Sequence, residues 1–385
     1  MSLHEEYLEL LREHGLSLDN FAPTSEQLDK VVQEYVRADI EYFQNIDALS
    51  RSGIIPASTG RQFTDPDQER LPHRDDPFTQ KPQHEKWTWL IEGHQEWLEQ
   101  VLARAGRTIS TPILVAQFPT GSVNAQARAS KSGVLILLNT GLFTFVHKMT
   151  KIPYLVITQK WDYNAAERII LDTARNYILS QEAVKAPSFP PLPTGFWYLA
   201  GYHLTWIERF ALAHEYAHVL NGDMDRNLVT TLDTPTGTLE VVNKSWEAEF
   251  KADVYAGYLL LLEYNRQKNE VLSKGKGEDV RNYLGMASRI LSAPFYFFEI
   301  ARLIEDVSAA MLGKLREGIV TDYHPPSYHR KHVLWQYFKD YLSQEELEEI
   351  GYDAWWLLNR TKSILGVDEE GNFTGNGLID SNLQQ

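Results

Sequence analysis

A five-residue run, His214-Glu215-Tyr216-Ala217-His218, lies inside a long apolar stretch and constrains this chain more than any other feature. Histidines four positions apart lie on adjacent turns of one helix face, so their imidazoles can bind the same cation. Glu215 points about 100° around the helix from His214, where its carboxylate can take a proton from water without binding the cation. The run therefore predicts a helix that carries two metal ligands and a general base.

The residues that flank this run favour a buried metal site over an exposed helix face. Segments 206–213 and 219–220 are largely apolar, whereas an exposed face is normally rich in Lys, Glu and Gln. Three ionisable groups on a buried helix must be paired or bound to a metal. Asn221-Gly222-Asp223 is a typical helix stop, so we expect the helix to run from about Tyr202 to Leu220.

Composition and charge exclude several classes of protein. The 385 residues carry a net charge of -15, which argues against a nucleic-acid partner because binding phosphates needs clustered Lys and Arg. The chain contains no cysteine, so neither disulfides nor thiolate metal sites are available. The N-terminus lacks the features of a secretion signal, and the apolar runs are shorter than the roughly 20 residues that span a bilayer. We expect a globular, cytoplasmic protein with no membrane span.

The spacing of apolar residues predicts an α+β fold that is mainly α, with a small β-sheet ahead of the metal-binding helix. Three short β-rich runs, at 111–118, 124–128 and 134–138, are separated by turn signals. The chain divides into three parts. These are an N-terminal helical region at 1–105 with a long loop at 51–86, a core at 106–340 with an insertion at about 147–200, and a C-terminal helix and flexible tail at 341–385.

A catalytic zinc site normally has three protein ligands, so the two histidines need a third from elsewhere. Glu249, on a helix predicted at 245–265, is the best candidate, and Asp253 shares its face one turn later. Asp253 can accept the free N–H of a ligating histidine and fix the orientation of its ring. The competing interpretation is an exposed acidic face. If Glu249 is the ligand, Glu247 must lie on an exposed face, because the side chains of Glu247 and Glu249 point in nearly opposite directions.

These motifs resemble the gluzincin metallopeptidases, in particular the family of the type 1 CAAX prenyl proteases and the related bacterial heat-shock membrane proteases. The main feature shared with that family is H-E-x-x-H followed by E-x-x-A-D. The others are N-A-Q-A, a strand and T-G-L-F within 124–143, then Ser245, and finally H-P-P-S-Y-H-R at 324–330. It covers about 112–334 apart from the insertion. Trp246 stands where the family has an arginine.

The resemblance implies a zincin-like metallopeptidase core that binds one Zn²⁺ per chain through His214, His218 and Glu249. It implies that Glu215 is the general base. It also implies that His324 and Arg330 stabilise the oxyanion or anchor the helix of the third ligand. His329 and His332 are interpreted as bystanders.

We therefore interpret the chain as a zinc-dependent endopeptidase that hydrolyses a peptide or protein substrate with metal-activated water. Strand 134–138 is interpreted as an edge that aligns an extended substrate by backbone pairing. The residues assigned to this substrate strand are Asn124, Val134, Ile136 and Leu138.

Two alternatives stay open. One is a catalytically silent, zinc-stabilised binding or regulatory protein, whose insertion, with aromatic residues such as Trp197 and Tyr198, contacts a partner. Glu215 argues against it, because a structural zinc site needs no base. The other is a non-peptide hydrolase, which uses the same metal chemistry.

Overall fold

The computed structural model describes residues 2–16, 37, 83–159, 163–180, 189–224, 229–234, 237–242, 246–274, 278–312 and 325–350. The described helices are α1 (Leu3–Glu13), α2 (Gln83–Arg104), α3 (Thr140–Gln159), α4 (Tyr163–Ser180), α5 (Thr194–Asn221), α6 (Trp246–Lys274), α7 (Glu278–Leu312) and α8 (Ser327–Lys339). The described strands are β1 (Ile113–Phe118), β2 (Ala125–Ala129), β3 (Val134–Asn139), β4 (Val229–Thr234) and β5 (Gly237–Val242). The prediction of a mainly helical α+β fold is confirmed. None of the helices in these ranges combines the length and apolar character that a membrane crossing requires.

The predicted sheet ahead of the metal-binding helix is present, and its strand order is β1-β3-β2. β3 is central: it pairs in parallel with β1 and antiparallel with β2, so that Ile136 faces Val115 on one side and Ala127 on the other. The prediction that strand 134–138 is an edge is therefore wrong. All six residues of β3 are buried, and the strand at the edge next to the site is β2.

The two faces of the sheet pack against different helices. α1 covers one face, where Tyr7, Leu10 and Leu11 contact Leu135 and Leu137. The other face contributes alternate residues of β3 to the main helical core, as expected for a strand whose side chains point to opposite faces in turn. The sheet therefore lies between α1 and the helices that carry the candidate site.

Helices α5 and α6 run antiparallel, as shown by contacts that pair His218 with Glu249 near one end and Tyr202 with Gln267 near the other. α5 begins at Thr194, eight positions before the predicted start, and ends at Gly222. Gly222 has a φ of 76°, a left-handed conformation that glycine adopts without the steric cost that a side chain brings. α7 packs on both α5 and α6, α8 packs on α6 and α7, and α7 is continuous through Pro294.

Several segments differ from their predicted structure or lie outside the described residues. The described part of the 147–200 insertion is mostly helical and forms the end of α3, all of α4 and the start of α5. Segment 227–238 is polar and is expected to be a loop, but residues 229–234 form β4, which pairs antiparallel with β5 at 237–242. The predicted helix at 25–50, the loop at 51–82 and the tail after 350 lie outside the described residues except for Arg37, while 83–86 form the first turn of α2.

Candidate metal centre

Helix α5 presents His214 and His218 on adjacent turns of a buried face. Their Nε2 atoms lie 3.1 Å apart, and the two rings are nearly perpendicular, with an interplanar angle of 88°. Both side chains are buried, which follows from the apolar residues that surround them on α5. The geometry matches the i, i+4 spacing on which the prediction of two ligands depends.

Glu249 reaches the same point from α6. Its Oε2 lies 3.4 Å from the Nε2 of His214, and its Oε1 lies 3.3 Å from the Nε2 of His218. Glu249 is completely buried, and the three side chains form a group of potential ligands whose atoms lie within 4.8 Å of one another. Ligand atoms around a tetrahedral zinc are about 3.3–3.4 Å apart, given metal–ligand distances near 2.0–2.1 Å. The three residues therefore fit a zinc ion.

Each of the two histidines has a carboxylate behind its other ring nitrogen. The Nδ1 of His214 lies 2.8 Å from Asp253 Oδ1, and the Nδ1 of His218 lies 3.1 Å from Asp223 Oδ2. A carboxylate accepts a hydrogen bond, so this network places a proton on Nδ1 and makes Nε2 the atom of each ring that would bind a cation. Two Nε2 atoms that face one carboxylate at such short distances favour a cation between them.

Asp223 is a functional residue that the sequence reasoning missed. It was interpreted only as part of a helix stop, whereas its side chain supports His218. The left-handed turn at Gly222 folds the chain back, and the backbone N–H of Asp223 donates to the carbonyl of His218 at 2.9 Å. The sequence signal for this contact is the pair Gly222-Asp223, in which the aspartate lies five positions after His218.

Arg330, on α8, binds Asp253 with two parallel hydrogen bonds. Its Nε donates to Oδ2 at 2.8 Å and its Nη2 donates to Oδ1 at 2.7 Å. The same Nη2 lies 3.5 Å from Glu249 Oε2, and the guanidinium stacks over the ring of Phe298 at 5.2 Å. Of the two roles implied for Arg330, this geometry favours anchoring the helix that carries Glu249. His324, given the same pair of roles, lies outside the described residues.

The position of Arg330 depends on contacts between α7 and the start of α8. The backbone N–H and the hydroxyl of Ser327 both donate to Glu305, at 3.2 Å and 2.6 Å. Lys331, next to Arg330, forms an ion pair with the buried Glu299. These contacts fix the first turn of α8 on α7, and thereby direct Arg330 at Asp253.

The charges of these groups reinforce one another. Burial by itself would lower the pKa of His214, but Asp253 and Glu249 outweigh it and raise that pKa to about 9. Burial likewise opposes ionisation of Asp253, yet Arg330 and His214 hold its pKa below the usual value. The pKa of Arg330 is raised despite its burial, chiefly by Asp253 and also by Glu249 and Glu215. Asp253 is therefore an anion and Arg330 a cation at neutral pH.

Glu215 faces the sheet. Its Oε2 accepts a hydrogen bond of 2.7 Å from the backbone N–H of Ala127, in the edge strand β2. Within the described part of the chain, β2 pairs with β3 alone, so this N–H points away from the sheet and toward the site. Glu215 is buried and directly follows His214 in the sequence, without belonging to the group of potential ligands.

The structure corrects the residues assigned to a substrate strand. Val134, Ile136 and Leu138 belong to the central strand, where their backbone groups pair with two neighbours and their side chains fill the core. Asn124 differs, because it directly precedes β2 and its carbonyl accepts from the N–H of Asn139 at 3.2 Å. The edge that faces the site is therefore β2, with Ala127 at its centre.

His329 and His332 lie on the outer part of α8 and do not contribute to the metal group.

A comparison of the chain with family models, curated proteins and solved structures finds no match.

Proposed function

We propose that this protein is a zinc-dependent peptidase of the gluzincin type, with His214, His218 and Glu249 as ligands and Glu215 as general base. The observation that carries the proposal is the convergence of three buried side chains. The Nε2 atoms of the two histidines are 3.1 Å apart, each lies 3.3–3.4 Å from an oxygen of Glu249, and Glu215 lies beside them as a second carboxylate outside the ligand group. A zinc ion held there would supply a Lewis acid that polarises the scissile carbonyl and acidifies the attacking water.

Glu215 accepts a proton from the attacking water and delivers it to the nitrogen of the leaving group. This requires a carboxylate that reaches the reacting atoms without being a metal ligand, and the place of Glu215, directly after His214 and outside the group of potential ligands, supports that role. Its hydrogen bond to Ala127 holds the carboxylate at the boundary between α5 and the edge of the sheet. Asp253 and Asp223 keep the two histidines in the tautomer that binds a metal.

Strand β2 offers the substrate a template for backbone pairing. The N–H of Ala127 is taken by Glu215, and an extended peptide can add to the same edge through the remaining outward main-chain groups of β2. A peptide that pairs there lies across the face of α5 that carries Glu215. This arrangement favours a peptide over a compact small molecule as substrate, and the antiparallel α5–α6 pair beside a three-stranded sheet supports a zincin-like core.

The proposal is tested by metal content and cleavage on four forms of the protein. Elemental mass spectrometry should find one zinc per chain in the wild type and in Glu215→Gln, and little or none in Glu249→Ala. Glu247→Ala is the matched control, because Glu247 lies on the same helix but is exposed and paired with Lys251.

A peptide library should be cleaved by the wild type and by Glu247→Ala, and by neither of the other two variants. Cleavage by Glu215→Gln at the wild-type rate would remove the proposed base. A wild type without zinc after incubation with the metal would remove the proposed centre.

A zinc-stabilised binding protein is the second candidate, and one observation favours it. Trp197 and Tyr198, in the first turns of α5, are 39% and 54% exposed, and their rings contact each other edge-on. Exposed aromatic pairs of this kind are common in contact surfaces between proteins. Zinc-loaded wild type that cleaves no peptide, but whose self-association or capture of a partner depends on Trp197, would favour this second function.

A further inference from the structure

A cluster of exposed aromatic rings lies beside the candidate metal centre. We call it the aromatic lip, and it consists of Trp246 at the start of α6 with Tyr328 and His329 at the start of α8. The rings of Trp246 and His329 are 6.2 Å apart and tilted by 33°, and those of Tyr328 and His329 are 5.7 Å apart. Trp246 is 42% exposed and Tyr328 is 52% exposed, which is unusual for such large side chains in adjacent positions.

The aromatic lip is continuous with the site through both of its helices. Trp246 lies one turn before Glu249 and two turns before Asp253, so the three residues share one face of α6. His329 directly precedes Arg330, whose guanidinium binds Asp253 and lies 3.5 Å from Glu249. The aromatic lip therefore lies one turn from the candidate ligand Glu249 on α6 and one residue from Arg330 on α8.

We propose that the aromatic lip binds an aromatic side chain of the peptide substrate and so determines where along a peptide the enzyme cuts. This inference rests on the proposed peptidase function and names the substrate class for the same site. An extended peptide paired with β2 directs alternate side chains to opposite sides of its own backbone. β2 packs against α5, the helix that carries His214 and His218, and α5 packs against α6, whose first turn carries Trp246.

The arginines around the aromatic lip are paired with carboxylates of the protein. Arg302, whose guanidinium lies 5.8 Å from the ring centre of Tyr328, pairs with Asp306 at 3.3 Å, and Arg330 pairs with Asp253. These pairs leave little net charge with which to attract or repel a charged side chain of the substrate. Edge-to-face contact with Trp246 and Tyr328 is the interaction that stays available, and it favours Phe, Tyr or Trp in the substrate.

The test measures binding and cleavage separately. Zinc-loaded Glu215→Gln protein binds without turnover, and fluorescence anisotropy gives its affinity for labelled ten-residue peptides that differ only in one residue, Phe, Leu, Lys or Ala. The Phe peptide should bind about three- to tenfold more tightly than the Ala peptide, as expected for one or two aromatic contacts. Adding Trp246→Ala or Tyr328→Ala should abolish that preference, whereas Trp246→Phe should retain it.

Tyr341→Ala is the control, because it removes an exposed aromatic side chain that lies beyond the other end of α8 from Tyr328. Circular dichroism and zinc content identify any variant that fails to fold, and Trp246→Phe then decides the result. A preference for Phe that survives both Trp246→Ala and Tyr328→Ala, or no peptide binding at all, would overturn the proposal.

The two proposals can fail independently. If the wild type cleaves nothing but the Phe preference depends on Trp246, hydrolysis is excluded and the aromatic lip stands as a peptide-binding surface. If the wild type cleaves peptides with equal rates for Phe and Ala at every position, the peptidase function stands and the aromatic lip is excluded.

Discussion

The two candidate zinc-binding histidines depend on carboxylates that are held in different ways. Asp253 is completely buried on α6 and is bound by Arg330, while the side chain of Asp223 is 20% exposed just beyond the end of α5. A carboxylate behind a ligating imidazole fixes its tautomer and raises its basicity. Asp253, the more deeply buried of the two, also carries the negative charge that keeps Arg330 in place.

Replacing either carboxylate by its amide should weaken zinc binding, because Asn keeps the shape but loses the charge. We expect about a 10- to 100-fold loss for Asp223→Asn and a larger loss for Asp253→Asn, which also leaves a buried guanidinium without its counter-charge. Competition with a zinc chelator measures the affinity, and Asp172→Asn, at an exposed position on α4, is the control. Affinities equal to that of the control would show that these carboxylates do not act through the histidines.

The sequence was sufficient for residues whose position follows from helical periodicity and insufficient for those that depend on a turn. His214 and His218 follow from the i, i+4 rule, and Asp253 follows from sharing a face with Glu249. Asp223 could not be placed, because its reach depends on the left-handed turn at Gly222. Arg330 was named only through the family resemblance, since its contact with Asp253 joins helices that are 77 positions apart in the sequence.

His203 should make the stability of the protein depend on pH. It is buried against Tyr296 and near Ser292, and burial, assisted by the charge of Arg289, lowers its pKa to about 3. Below pH 6.5 the unfolded chain takes up a proton that the folded protein refuses, so stability falls as the pH decreases from about 6.5 toward 3.

The expected loss from His203 is about 1.4 kcal/mol for each pH unit below 6.5, or about 2 kcal/mol at pH 5. Urea unfolding at pH 7.5 and pH 5.0 measures it, and His203→Gln should lose correspondingly less stability over the same interval. Effects of pH on zinc binding are common to both proteins and cancel in the difference. The same pH dependence in both proteins would show that His203 titrates normally in the fold.

At the scale of elements, α6 and α8 approach closely at Gly257. Gly257 lies one turn after Asp253, and Leu334 lies one turn after Arg330, so the glycine and the leucine meet directly behind the ion pair. A Cβ at position 257 would lie 2.4 Å from Leu334 Cδ1 and 3.3 Å from Phe338 Cε1. The absence of a side chain at Gly257 therefore lets Arg330 reach Asp253.

Gly257→Val should lower the free energy of unfolding by about 1–3 kcal/mol, because its branched side chain must displace Leu334. Gly257→Ala should cost less, since its close contact is with the terminal methyl of Leu334, its contact with the ring of Phe338 is looser, and alanine favours the helix. Urea unfolding gives both values, and Gly201→Val, at a helical glycine of α5 with open space around it, is the control. If α8 is displaced as we expect, zinc affinity in Gly257→Val also falls.

Element types were predicted well from the sequence, but their pairing was not. The three strands of the sheet lie where the β-rich runs predicted them, because alternation and turn residues are local signals. Strand order depends on tertiary contacts. The parallel pairing of β1 with β3 makes β3 the central strand, although the sequence predicts it at the edge. The hairpin β4–β5 was missed because its threonines and aspartate resemble a polar loop.

At the scale of the whole molecule, the N-terminal helices are joined to the metal-binding core by polar contacts as well as apolar ones. The hydroxyl of Tyr7 in α1 donates to the carbonyl of Gln117 in β1 at 2.5 Å. In α2, Arg104 pairs with Glu263 of α6, and His94 pairs with Glu208 of α5 at 2.9 Å. Folding of the site and docking of these helices are therefore coupled.

The pair of His94 and Glu208 offers the sharpest test of that coupling, because both side chains are buried and Glu208 lies two turns before Glu215 on α5. His94→Leu leaves a buried carboxylate without its partner and should lower the free energy of unfolding by about 2–4 kcal/mol. His94→Leu combined with Glu208→Leu removes both polar groups and should be less destabilised than His94→Leu alone. Urea unfolding of the four members of this cycle measures the coupling, with Glu92→Leu, exposed on the same helix, as the control.

A single cooperative transition in every variant, with zinc lost at the same urea concentration, would mean that α2 and the metal centre unfold as one unit. Zinc retained after α2 has unfolded would instead show that the core from β1 onward holds the site without it.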